Sequence, residues 1–124
     1  MKKIIKTTKA PLPIGPYNQA VLNNGTLYIS GQIPANPATG EIVKESIEAE
    51  TQQVMQNLKA ILEEAGMGFS NIVKTSIFIT DMKNFALVNK VYAEYFTADF
   101  PARETIQVAG LPLGVNVEIS AIAI

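Results

Sequence analysis

The sequence predicts an α+β fold, in which a sheet carries two helices packed on one of its faces. Two observations support this class. Short β-rich segments separated by turn residues occur near both ends of the chain. Two segments with helical spacing lie between them, and a strand-like segment separates the two. The predicted order is hairpin, helix, strand, helix, hairpin, within one domain of residues 1–124.

Residues 20–22 and 27–30 are the predicted strands of the first hairpin. Asn24 and Gly25 lie between them, and Asn-Gly favours the short turn that joins antiparallel strands. Residues 31–40 contain Pro34 and Pro37, so a loop is predicted there.

The longest predicted helix extends over residues 46–65. Ser46 is suited to cap its first turn and Gly66 to end it, while Glu48 and Glu50 favour the positive end of the helix dipole. One face carries apolar or small residues at spacings of three and four, namely Ile47, Thr51, Val54, Leu58, Ile61, Leu62 and Ala65.

Residues 72–80 are a predicted strand because β-branched side chains dominate them. A second helix begins at Asp81 or Asn84, and Pro101 prevents its continuation. Its buried stripe is predicted to contain Phe85, Val88, Tyr92 and Tyr95 or Phe96. Residues 104–108 and 115–124 are predicted to pair as a second hairpin through residues 110–114.

The two predicted helices cover one face of the sheet and leave the other face bare. We expect the bare face to contain Ile77, Ile79 and alternate residues of 117–124. Because such apolar side chains need cover, we expect copies of the chain to associate through this face in a closed cyclic oligomer.

Composition excludes several classes of partner and chemistry. The 124 residues are 48% apolar and 17% charged with a net charge of −1, so no nucleic-acid partner is expected. No segment approaches the roughly 18 apolar residues of a membrane span, and the expected location is the cytoplasm. Histidine and cysteine are absent, which leaves acid–base chemistry to Asp, Glu, Lys, Tyr or water.

Arg103 is the one arginine of the chain, in the segment Phe-Pro-Ala-Arg-Glu-Thr at 100–105. Its planar guanidinium can hold a carboxylate by two parallel hydrogen bonds, which a lysine cannot do. A structural ion pair or a side chain that covers apolar surface is the alternative interpretation. If Val108 faces Val115 across the last turn, Glu118 lies diagonally across from Arg103 on the same sheet face. The pair is then either a salt bridge or a site in which Arg103 binds a carboxylate and Glu118 orients water.

Other candidate residues carry weaker signals. Tyr17 follows Gly-Pro in a rigid turn and presents a phenol that can pack or donate to a ligand. Ser30 and Gly31 lie at a strand end, where a hydroxyl and bare backbone can meet a ligand. Asn89 lies beside the buried stripe of the second helix, where a structural amide is the alternative.

Five segments together resemble one known family. They are Ile-Gly-Pro-Tyr-Asn-Gln-Ala at 14–20, Ile-Ser-Gly-Gln-Ile-Pro at 29–34, Val-Tyr-Ala-Glu-Tyr-Phe at 91–96, Pro-Ala-Arg at 101–103 and Val-Glu-Ile-Ser-Ala-Ile-Ala at 117–123. In this order, over essentially the whole chain, they resemble the reactive intermediate deaminase family, the Rid, YjgF or UK114 proteins, and its archetypal RidA-like subgroup in particular.

This resemblance implies a chorismate-mutase-like mixed sheet, a homotrimer with a central barrel, and active sites between subunits. It implies a 2-iminobutanoate/2-iminopropanoate deaminase, which hydrolyses 2-imino acids, tautomers of enamines such as 2-aminoacrylate, to 2-oxo acids and ammonia. It implies no cofactor and no metal. A non-catalytic trimer that binds small carboxylates as a sensor or regulatory partner is the alternative.

The resemblance also implies roles for individual residues. Arg103 would bind the substrate carboxylate and Glu118 would position the attacking water, while Tyr17, Ser30, Gly31, Asn89 and Thr105 would shape the pocket. Many relatives have cysteine where this chain has Thr105 and a small residue where it has Glu104. Strand alternation predicts that Glu104 points away from the pocket.

Overall fold

The computed structural model describes all residues 1–124 and contains six strands and two helices. The strands are β1 (Lys3–Ile5), β2 (Ala20–Asn23), β3 (Thr26–Gln32), β4 (Ile72–Ile79), β5 (Ala102–Gln107) and β6 (Val117–Ala123). The helices are α1 (Ile47–Glu64) and α2 (Phe85–Ala93). No helix is long and apolar enough to cross a membrane.

One mixed sheet contains all six strands in the order β1-β2-β3-β6-β4-β5. Every neighbouring pair is antiparallel except β4 and β5, which are parallel. The predicted α+β class and first hairpin are therefore confirmed. β1 has only three residues and was not predicted from the sequence.

The predicted second hairpin is wrong. β5 pairs with β4 at the edge of the sheet, and β6 lies on the other side of β4. Because parallel strands need a crossover, α2 provides it between β4 and β5. Residues 110–114, taken for a hairpin turn, instead contain a short 3-10 turn at Pro112–Gly114 on the way to β6.

Helix α1 follows the predicted pattern. The Ser46 side chain accepts a hydrogen bond from the backbone N–H of Ala49 at 3.0 Å, and Gly66 adopts a φ of +73° just after the helix. Asn84 is the N-cap residue of α2 but makes no side-chain capping hydrogen bond. Asp81 caps the short 3-10 turn Met82–Asn84 before the helix, where its carboxylate accepts from the backbone N–H of Lys83 at 2.9 Å.

Both helices lie on the same face of the sheet and enclose a single core. The prediction that Ile77 and Ile79 lie on the bare face of the sheet is wrong. Both belong to this core, with only 0% and 1% of their surface exposed. The opposite face carries a mixed set of half-buried or exposed side chains, namely Tyr28, Lys74, Ser76, Phe78, Glu118, Ser120 and Ile122.

Candidate functional site

The structure places six of the seven predicted site residues in two separate clefts, and Thr105 lines neither of them. The Glu118 cleft, of about 350 Å³, is lined by Tyr17, Ser30, Gly31 and Glu118, with Ile14, Ile33 and Pro112. The Arg103 cleft, of about 340 Å³, is lined by Asn89 and Arg103, with Tyr92, Ala93, Phe100 and Pro101.

The Glu118 cleft is formed where β3 meets β6. The pairing of these strands is irregular between Ile29 and Gln32, and such bulges redirect backbone and side chains near functional sites. A Cβ atom built on Gly31 would lie only 2.7 Å from Cδ of Glu118 and still closer to its carboxylate oxygen. Gly31 therefore leaves the space that the carboxylate occupies.

Glu118 is half-buried and forms neither an ion pair nor a hydrogen bond within the chain. Burial raises the pKa of its carboxyl above the ordinary value, because the low dielectric penalises the charged form. Both carboxylate oxygens are free to accept hydrogen bonds from a ligand or water.

Tyr17 and Ser30 present hydroxyl groups to the same cleft. The Tyr17 oxygen accepts from the backbone N–H of Ile14 at 3.3 Å, which leaves its own O–H free to donate. The Ser30 hydroxyl donates to the carbonyl oxygen of Asn18 at 2.6 Å, which leaves its oxygen free to accept. The cleft thus offers one free donor and several acceptors.

Buried Gln19 fixes the loop that carries Tyr17. Its side-chain oxygen accepts from the backbone N–H of Thr7 at 2.8 Å, and its amide nitrogen donates to the carbonyl of Pro11 at 2.8 Å. The same nitrogen lies within hydrogen-bond distance of the carbonyls of Thr7 and Ala10. The role of Gln19 was not predicted, because an isolated glutamine in a sequence carries no local signal of burial.

The Arg103 cleft lies at the edge of the sheet, between β5 and α2. No carboxylate lies within ion-pair distance of Arg103, since the one ion pair of the chain joins Lys74 and Glu104 at 3.0 Å. The guanidinium instead packs against the rings of Phe85 and Tyr92. Its N–H donors are free, so the structural ion pair considered from the sequence is absent.

Glu104 lies on the opposite sheet face from Arg103, as alternation predicts. It pairs with Lys74 and accepts a hydrogen bond from Ser76. These contacts, the bond from Ser76 first, hold the pKa of its carboxyl below the ordinary value. Glu104 therefore does not neutralise Arg103.

Thr105 lies on the helix-covered side of β5, next to Ile77 of β4. Its hydroxyl oxygen is buried and has no hydrogen-bond partner. Buried hydroxyls usually have a hydrogen-bond partner. The Thr105 hydroxyl, two residues beyond Arg103 on the same sheet face, can therefore still form a hydrogen bond.

The predicted placement of Arg103 and Glu118 on one sheet face is wrong. Glu118 lies beside Phe78, and Phe78 lies beside Ile106, which is three residues beyond Arg103. An odd offset puts the two side chains on opposite faces. The two residues are separated by two strand spacings of about 4.8 Å across the sheet and by three residues of about 3.3 Å each along it. Their Cα atoms therefore lie roughly 14 Å apart. Within one chain the two groups cannot hold one small ligand.

No group of three or more acidic side chains that could hold a metal ion occurs in the structure. The two clefts offer a free guanidinium, a free carboxylate and hydroxyl groups. This set can bind a small carboxylate and orient a water molecule.

Comparison with known proteins identifies relatives that match nearly the whole chain. Residues 7–124 match the family model described as endoribonuclease L-PSP. A 2-iminobutanoate/2-iminopropanoate deaminase of Bos taurus is 48% identical over 124 residues, covering 100% of this chain and 90% of the relative.

Two solved structures are similar over nearly their whole length. YyfA of Yersinia pestis, of the conserved Rid protein family, has a TM-score of 0.97 at 52% identity, covering 99% of this chain and 98% of its own. Escherichia coli TdcF with bound serine has a TM-score of 0.95 at 43% identity, covering 98% of both chains.

Proposed function

The chain belongs to the endoribonuclease L-PSP family, the family of the Rid proteins, and on this premise we propose that it hydrolyses short 2-imino acids to 2-oxo acids and ammonia. The proposed substrates are 2-iminopropanoate and 2-iminobutanoate, which the name of the bovine relative specifies for that protein. The proposed site requires neither cofactor nor metal.

The unpaired guanidinium of Arg103 is the observation that carries this proposal. An arginine without a carboxylate partner, beside a cleft, retains the planar set of donors that binds a carboxylate by two hydrogen bonds. A 2-imino acid carries its carboxylate directly on the reacting carbon. Serine, which the TdcF relative binds, has a carboxylate next to a nitrogen-bearing carbon in the same way.

Glu118 is proposed to orient the attacking water. The water adds to C2 of the imine and transfers a proton to nitrogen, with the carboxylate accepting a hydrogen bond from it. The resulting amino alcohol expels ammonia and leaves the 2-oxo acid. Because an imine carbon is already electrophilic, orientation of the two reactants supplies much of the catalysis.

The two clefts are proposed to meet between subunits of a homotrimer. Arg103 with Asn89 and Thr105 would come from one subunit, and Glu118 with Tyr17, Ser30 and Gly31 from its neighbour. The separation of Arg103 from Glu118 within the chain supports this arrangement, since each cleft lacks the charged group of the other. The half-exposed apolar side chains of the open sheet face would be covered in the same assembly.

The test generates 2-aminoacrylate or its four-carbon homologue with a dehydratase and follows formation of the 2-oxo acid. The wild-type protein should accelerate this step over the spontaneous rate. If it does not, but still binds 2-oxobutanoate in calorimetry, the protein is a non-catalytic carboxylate-binding module.

Mixed trimers test the shared site. Arg103→Ala and Glu118→Ala should each be inactive, but each variant supplies the group that the other lacks. Random 1:1 assembly gives three-quarters mixed trimers with one complete site of three, so about one quarter of wild-type activity should return. Recovery of no activity, with both variants folded and trimeric, would contradict a site built from two subunits.

A further inference from the structure

Two aromatic rings of α2 enclose the guanidinium of Arg103, and the proposed mechanism makes no use of them. Cζ of Arg103 lies 5.1 Å from the ring centroid of Tyr92 and 5.7 Å from that of Phe85. Both distances are within the roughly 6 Å of a cation–π contact. The two residues are seven positions apart, two helical turns, so their rings share one helix face with the cation between them.

The Tyr92 ring is itself held in place by the sheet. Its hydroxyl shares a 2.8 Å hydrogen bond with the hydroxyl of Thr75, and both residues are buried. Thr75 is also the register partner of Arg103 on the neighbouring strand. The backbone of Arg103 and the ring of Tyr92 are thus both positioned by the same residue of β4, Thr75.

Burial raises the pKa of the Tyr92 phenol above its ordinary value, so the ring is neutral at physiological pH. Neither ring offers Arg103 a charged oxygen that would occupy its N–H donors. An aspartate or glutamate in the same place would fix the guanidinium equally well, but would compete with a ligand for those donors.

We propose that Phe85 and Tyr92 are positioning residues, whose rings hold the guanidinium of Arg103 in one orientation while leaving its hydrogen-bond donors free for the substrate carboxylate. A long arginine side chain otherwise loses rotamer freedom when it binds, and prior ordering removes that cost from binding. The identity of the carboxylate rests on the proposed function, whereas the ordering of Arg103 does not.

The test replaces Phe85, which is only half-buried, so that folding is preserved. Phe85→Leu keeps an apolar side chain but removes the ring, while Phe85→Tyr keeps the ring. Loss of one partly exposed cation–π contact should weaken binding of 2-oxobutanoate about two- to fivefold in calorimetry. Phe85→Tyr should bind as the wild type does.

Kinetics supply a second measurement. The carboxylate is held in both the ground state and the transition state, so Phe85→Leu should raise KM for the imine by the same factor while kcat changes little. A general loss of packing would instead lower the melting temperature and reduce kcat.

A double-mutant cycle assigns the effect to Arg103. In an Arg103→Lys background, which lacks the planar fork, Phe85→Leu should have a clearly smaller effect on 2-oxobutanoate binding. An equal effect in both backgrounds, or unchanged binding by Phe85→Leu alone, overturns the positioning role. A wild-type protein that shows this coupling but does not accelerate imine hydrolysis overturns only the deaminase proposal.

Discussion

Alanine at position 31 should disable the proposed site without unfolding the protein. The added Cβ would lie 2.7 Å from Cδ of Glu118, whereas non-bonded carbon atoms pack at about 3.5–4.0 Å. The Glu118 side chain must therefore withdraw by about 1 Å. A misplacement of that size costs roughly 100-fold in rate when a reacting group is held in position, so kcat should fall by about that factor.

Stability should change much less than rate. Gly31 does not have a positive φ, so alanine fits its backbone, and the atoms in its way belong to the end of a flexible side chain. We expect a loss in the free energy of unfolding of no more than about 1–2 kcal/mol. Because Arg103 is unaffected, KM should stay close to that of the wild type.

The assay couples a dehydratase to 2-oxo acid formation and is paired with thermal unfolding. Gly110→Ala is the matched control, since no atom lies within 4 Å of the added Cβ there, and it should behave as the wild type. A folded Gly31→Ala protein with wild-type kcat would contradict this prediction, because the position of Glu118 would then not govern the rate.

Further predictions concern three charged groups. Arg103→Lys should lower kcat/KM at least tenfold while leaving the melting temperature nearly unchanged, because a point charge cannot hold the carboxylate by two bonds; steady-state kinetics with calorimetric unfolding checks this. Because burial raises the pKa of Glu118, kcat/KM should begin to fall at a higher pH than an ordinary glutamate would give as the pH is lowered, and Glu118→Gln should abolish this acidic limb of the kcat/KM profile. The same raised pKa means that the free energy of unfolding falls as pH rises from the unfolded pKa of Glu118 to its folded pKa and stays lowered above it. Glu118→Gln should therefore not be less stable than the wild type at pH 7, as measured by urea unfolding. Glu50→Ala should lower the free energy of unfolding by about 2 kcal/mol in urea, because buried Glu50 accepts from the backbone N–H of Asn116 at 3.1 Å and from its side chain at 2.7 Å.

Local signals in the sequence predict the elements of this fold well. The α1 helix follows from the spacing of its apolar residues and from Ser46, since a helix is stabilised by contacts within a few residues. Strand pairing is different, because it depends on distant segments. The glycines and proline of residues 110–114 are as compatible with the observed 3-10 turn as with a hairpin, and only the crossover through α2 places β5 beside β4.

Buried polar residues were the second kind of feature that the sequence did not indicate. Glu50 and Asn57 lie among the buried residues of α1, although both types are usually exposed. Asn57 donates to the carbonyls of Ile33 and Ala35 at 3.0 Å each. Their partners are loop carbonyls and amides more than twenty residues away, so no helical periodicity reveals them.

The choice of site residues stays a prediction, whereas the arrangement of Arg103 and Glu118 within the chain depends on the topology. With β4 between β5 and β6, Arg103 and Glu118 lie on opposite faces and cannot neutralise each other within the chain. Within the chain, both groups are therefore unpaired: the Glu118 carboxylate lies against Gly31, and the Arg103 guanidinium packs against two aromatic rings that accept no strong hydrogen bond. In the proposed homotrimer, each subunit would therefore bring an unpaired charged group to a shared site. The guanidinium of one subunit would bind the substrate carboxylate, and the carboxylate of its neighbour would orient the attacking water.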